Sequence, residues 1–103
     1  MPNRLEILKG MAAQNPTDSF ARYGLAMEYS KAGQLREAVG EFEALLSFHP
    51  DYCYAYFHCG QALENLGRID AAREAYRRGI EAAGRTGDAH ARSELEGALE
   101  RLG

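Results

Sequence analysis

Slid by 34 positions, the sequence lies over itself. Pro16 falls on Pro50, Phe20 on Tyr54, Ala21 on Ala55 and Tyr23 on Phe57. Further along, Gly33 meets Gly67, Leu35 meets Ile69, Ala38 meets Ala72, Phe42 meets Tyr76 and Leu46 meets Ile80. The N-terminal segment joins the pattern, with Leu5 on Val39, Leu8 on Phe42 and Met11 on Leu45. Glycine kept on glycine, proline on proline and ring on ring excludes coincidence. A period of roughly 20–50 residues restricts a chain to stacked copies of one supersecondary unit, each burying its apolar face on the next.

Composition says what the unit is made of. Seventeen of the 103 residues are alanine, while valine, isoleucine and threonine together number six. Sheets draw on β-branched residues and helices on alanine, so the unit is helical. Within residues 18–32, Phe20, Tyr23 and Met27 recur at helical spacing on one face, and Leu25 and Tyr29 on another. Thr17 or Asp18 can cap that helix, and Gly33 supplies the positive φ that closes it. A second helix over residues 35–47 carries Leu35, Val39, Phe42, Leu45 and Leu46 and is stopped by Pro50. The next unit repeats the scheme over residues 52–66 and 69–83, with Gly67 between them and Gly84 at the end. Turns this short force each helix pair into an antiparallel hairpin.

These residues resemble the tetratricopeptide repeat. That 34-residue unit carries an aromatic–x2–L–G–x2–aromatic element, then A–x3–F, then proline. The second unit offers Tyr56, Cys59, Gly60 and Leu63, then Ala72 and Tyr76, with Gly84 where proline stands. The first offers Leu25, Ala26 and Tyr29, then Ala38, Phe42 and Pro50. Arg22 occupies the first aromatic position, Cys59 replaces leucine, and Leu45 sits where a small residue is usual. The resemblance implies an all-α fold, an α-α superhelix (solenoid) in a single domain. Its parts are a leading helix over about 3–14, repeat one over about 17–50, repeat two over about 51–84, and a capping helix over about 88–102. The cap stripe Ala91, Leu95, Ala98, Leu99 and Leu102 is offset by about two residues from the repeat register. A solenoid end covers its last apolar face with such a helix.

Chemistry-bearing residues form no constellation. Cys53 and Cys59 lie six apart, about 240° around a helix axis, so one helix face cannot present both to a metal. His49, His58, His90, Ser30, Ser47 and Ser93 show no nucleophile–base spacing, and no glycine-rich phosphate loop is present. The pairs Glu41/Glu43 and Glu94/Glu96 point apart on their helices. Arg73, Arg77 and Arg78 are compensated a turn away by Glu74 and Glu81. The chain reads as a protein that is not an enzyme and takes no cofactor, no metal and no small-molecule substrate. A net charge of −3 counts against nucleic acid, and no apolar run reaches the roughly 20 residues of a membrane span. Without a secretory signal, two cysteines point to a reducing, cytoplasmic setting.

What remains is the groove. By resemblance, the first helix of each repeat lines the concave side. The partner-binding groove is then Phe20, Tyr23 and Met27, joined by Tyr54, Phe57, His58 and Gln61, with Arg92 and Leu95 continuing it on the cap. Each first helix has two apolar faces, and one hairpin core uses only one of them fully. One subgroup of the family grips peptide carboxylates with basic groups on this face. Here Tyr23, Met27, His58 and Asp88 stand at those positions, leaving only Arg92, so the grip is absent. The expected function is a protein–protein interaction module for a peptide or helix with apolar anchors. The alternative is a structural self-association (homodimerisation) unit.

Overall fold

The computed structural model describes all residues from Met1 to Gly103 and contains six helices. They are α1 (Arg4–Gln14), α2 (Ser19–Lys31), α3 (Leu35–Phe48), α4 (Cys53–Asn65), α5 (Ile69–Thr86) and α6 (Ala89–Leu102). Side chains fix three of the starts. Asn3 accepts the Glu6 amide at 2.9 Å, Asp18 the Phe20 amide at 3.0 Å, and Asp88 the Ala91 amide at 3.0 Å. Each occupies an amide the helix itself leaves free. Gly33 and Gly67 turn both hairpins with nearly equal φ of 77° and 78°. In both turns the next amide reaches back to Tyr29 or Leu63 at 2.9 Å.

Every helix packs on its successor, and α2 also touches α4, as α4 touches α6. The outer helices α1, α3 and α5 do not meet one another. A stack whose odd helices splay while its even helices close up is curved, with α2, α4 and α6 on the inside. The molecule measures 43 × 29 × 19 Å. Twenty-five buried side chains form one continuous core, with no buried polar group among them. Phe42 and Tyr76, equivalent residues of the two repeats, are among its largest fully buried members. The second carries a hydroxyl that donates a hydrogen bond to the Glu64 carboxylate.

The departures from the repeat pattern have physical accounts. Tyr56 donates its hydroxyl to the Pro50 carbonyl at 2.7 Å; Arg22, its equivalent, donates Nε to the Pro16 carbonyl at 3.1 Å. Arg22 thus replaces the ring's hydrogen bond, and its Nη1 pairs with Glu41 at 2.7 Å. Of the basic trio, Arg78 lies over the Tyr56 ring, 5.4 Å from its centroid. Arg73 pairs with Asp70 and donates to the Leu102 and Gly103 carbonyls, tying down the end of α6.

One helix end differs from the sequence expectation. α5 does not stop at Gly84 but runs to Thr86, and Gly87 takes the left-handed turn at φ 71°. Gly84 has no neighbour for a Cβ to meet and no need of positive φ, so it stays inside the helix.

Candidate functional site

On the concave side, α2 and α4 present a continuous cluster of rings. Tyr23 stacks on Tyr52 with centroids 5.0 Å apart, and its edge meets Phe42 at 6.2 Å and His58 at 5.9 Å. Phe57 turns an edge to His58 at 5.3 Å. Tyr23, Met27, Tyr54 and Phe57 are all half-buried, packed against the core on one side only. Edge-on and offset contacts of this kind fix ring orientation. Met27, Ser30, Leu35, His58 and Gln61 line a depression of about 260 Å³ beside the rings.

The protonation states follow from this packing. Burial, with Tyr52 and Tyr54 nearby, pushes Tyr23 up to about 12, so its hydroxyl keeps its proton and can donate. Burial lowers His58 below the ordinary histidine value, while a 3.2 Å contact with the Gln61 side chain and the charge of Glu94 act against it. Tyr54 is raised by burial first, then by Glu94 and Asp88.

The structure brings together Tyr23, Met27, Tyr54, Phe57, His58 and Gln61. Phe20 stands apart at the α2 end, 68 % exposed. The two cap residues fall elsewhere. Leu95 is 1 % exposed, its methyls set against the α5 backbone at Gly79, so it belongs to the core. Arg92 lines a shallow depression with Ala83, Gly84 and Gly87 on the α5 side, and pairs with Glu96 at 3.3 Å. The residues of α6 that reach the groove are His90, 6.4 Å from the Tyr54 ring, and Glu94, which pairs with His90 at 3.1 Å. The cause is rotation. Ending α5 at Gly87 shifts the α6 register by two residues, about 200° around a helix axis, so 88 and 92 hand their places to 90 and 94. The two-residue offset of the cap stripe holds this signal, once applied to groove positions as well as to core positions. Tyr52, the other groove ring missing from the sequence expectation, stands just before α4, a helix the sequence opened one residue earlier at 52.

The convex side has its own concavity. Because α3 and α5 diverge, a furrow of about 500 Å³ opens between them, floored by Tyr56, Cys59 and Leu63 of α4. Glu43, Glu74, Arg68 and Arg78 rim it with balanced charge. Cys53 and Cys59 are free, buried thiols, and burial pushes Cys59 up to about 12. No three His, Cys, Asp or Glu side chains converge in a metal-binding cluster, and no helix is long and apolar enough to cross a membrane.

Comparison with known proteins gives a consistent answer. The sequence model of the tetratricopeptide repeat matches residues 54–86. A tetratricopeptide repeat domain protein of Salinibacter ruber, solved by crystallography, is 39 % identical. The match covers 82 % of this chain and 94 % of that one, with a TM-score of 0.77. A solution structure of a Bordetella parapertussis protein is 32 % identical over 99 % of this chain and 89 % of its own, with a TM-score of 0.84. A TPR repeat-containing protein of Pseudomonas aeruginosa is 28 % identical over 98 residues, 95 % of this chain and 93 % of that protein. With the 34-residue period, the paired hairpins and these relatives in agreement, the chain belongs to the tetratricopeptide repeat family.

Proposed function

We propose that this chain is a non-catalytic protein–protein interaction module that receives a peptide or helix, through apolar anchors, in its concave groove. The fold is one that serves protein association. The observation that carries the reading is the half-burial of Tyr23, Met27, Tyr54 and Phe57. Their inner sides complete the core, and their outer sides form one aromatic surface on the closed-up face of the stack. Rings held this way have few rotamers left to freeze, and a central one can contribute about 2 kcal/mol or more to binding. Homodimerisation is the second reading. It draws on Phe20 and on Ile7 of α1, which is 51 % exposed.

The test uses peptides selected from a displayed random library on the intact chain, titrated against variants. Tyr23→Ala with Phe57→Ala should abolish binding. Gln61→Arg, at an exposed groove position that leaves the core untouched, should weaken it with unchanged thermal stability. Arg77→Ala is the control, because Arg77 is exposed and only 4.0 Å contact with Glu74 engages it; Arg73 is unsuitable because it holds α6. Groove variants that bind normally would refute groove docking. Sedimentation at rising concentration decides the second reading: a dimer lost in Phe20→Ser supports it, and a monomer throughout rejects it.

A further inference from the structure

The groove has a charge as well as an apolar surface, and the charge has one sign. The cations carried by α2 and α6 near it are already engaged. Lys31 pairs with Glu28 at 3.7 Å, Arg22 turns outward to Glu41, and Arg92 sits on the α5 side with Glu96. Among the nearby anions, Asp88 is committed to the α6 N-terminus and Asp51 to Arg85 at 2.8 Å. Glu94 is different. It is exposed, and its only partner is His90 at 3.1 Å, whose ring lies 6.4 Å from that of Tyr54 across the α4–α6 gap. The two-residue shift of α6 therefore puts a carboxylate where the sequence register would have put the Arg92 guanidinium. An exposed carboxylate paired only with a histidine that neighbours the Tyr54 ring matches a side chain that is both positively charged and able to lie flat on a ring.

We propose that the groove takes a peptide segment in which an arginine or lysine accompanies the apolar anchor, its cation lying against Tyr54 and pairing with Glu94. This rests on the groove-docking reading above. The anchor fills the depression beside Met27, His58 and Gln61, while the basic side chain spans from α4 to α6. An acidic segment meets repulsion at the same point, so the groove discriminates by charge.

The experiment pans a displayed library of random peptides on the full chain and then titrates synthetic copies of the selected peptides. Arginine or lysine should recur beside an aromatic or aliphatic residue. Glu94→Gln should weaken a selected peptide about fivefold, and exchanging the peptide's arginine for neutral citrulline should cost wild type the same factor. The two changes together should cost no more than either alone, as a direct pairing requires. Citrulline peptides that bind wild type undiminished, or selected peptides without basic residues, would overturn the charge preference while Phe57→Ala and Gln61→Arg still weaken binding. Failure of the groove reading is distinct: selected peptides then ignore Phe57→Ala and Gln61→Arg, or no peptide is selected at all.

Discussion

Of the seven glycines within helices, Gly40, Gly79 and Gly84 meet different surroundings, and replacing each with alanine tests the local packing directly. Alanine gains up to about 1 kcal/mol over glycine in a helix interior. At Gly40 in α3 and Gly84 in α5 an added Cβ meets nothing within 4 Å, so the gain stands uncontested. At Gly79 the same Cβ would lie 2.7 Å from Leu95 Cδ2 and 2.8 Å from Tyr56 Cβ. The tyrosine Cβ cannot swing aside, and Leu95 is enclosed. Overpacking of this kind costs about 1–3 kcal/mol or more, enough to outweigh the propensity gain and leave a net loss of up to about 2 kcal/mol. For a domain of this size each kcal/mol moves the melting temperature by about 4–8 °C. Thermal unfolding followed by circular dichroism should therefore rise for Gly40→Ala and Gly84→Ala and fall for Gly79→Ala. Gly84→Ala is the sharpest arm, because a glycine closing α5 in the left-handed region would lose stability on gaining a Cβ. A rise at Gly79, or a fall at Gly84, would refute the docking of α6 described here.

Three further outcomes follow from the same structure. Cys59, buried on the furrow floor and raised to about 12, should react slowly with a thiol reagent in the native chain and at once in urea; rapid native labelling would contradict its burial. His58 is held below 6.5, so the unfolded chain binds the proton more readily, stability is full above that value, and it declines as pH falls through 6.5 and below. Melting temperatures between pH 5 and 7 should show this slope, and His58→Gln should flatten it. Removing residues 88–103 strips away Leu95 and the α6 carbonyls that Arg73 holds, so the truncated chain should lose its sharp unfolding transition; an unchanged transition would refute the capping role.

The hairpins are legible in the sequence because their signals are local. Gly33 and Gly67 recur at one period, and the apolar spacing on either side admits only helices. The aromatic groove on α2 and α4 is legible for the same reason, since Tyr23 and Phe57 occupy equivalent places in two copies of one unit. The cap is where local reading fails. Gly84 stands where proline ends a repeat, yet nothing around it demands a stop, and α5 continues until Gly87. Three residues of extra helix rotate α6, and with it the identity of the side chains that face α4. A rotation about a helix axis leaves a helix's existence untouched and changes which residues face the site, so His90 and Glu94 take the places of residues 88 and 92, while Leu95 turns into the core. Tyr52 escapes because its equivalent in the first unit is Asp18, a helix cap and not a ring; only its stacking on Tyr23 reveals it.

The central claim is that binding happens on the concave face, and a backbone amide shift map measures it most directly. A peptide selected on the intact chain would be titrated into isotope-labelled protein. The account predicts shifts concentrated at Tyr23, Met27, Tyr54, Phe57, His58 and Gln61, with His90 and Glu94 following on α6. Shifts concentrated instead along the convex furrow, at Glu43, Leu46, Leu63, Ala71 and Arg78, would contradict it.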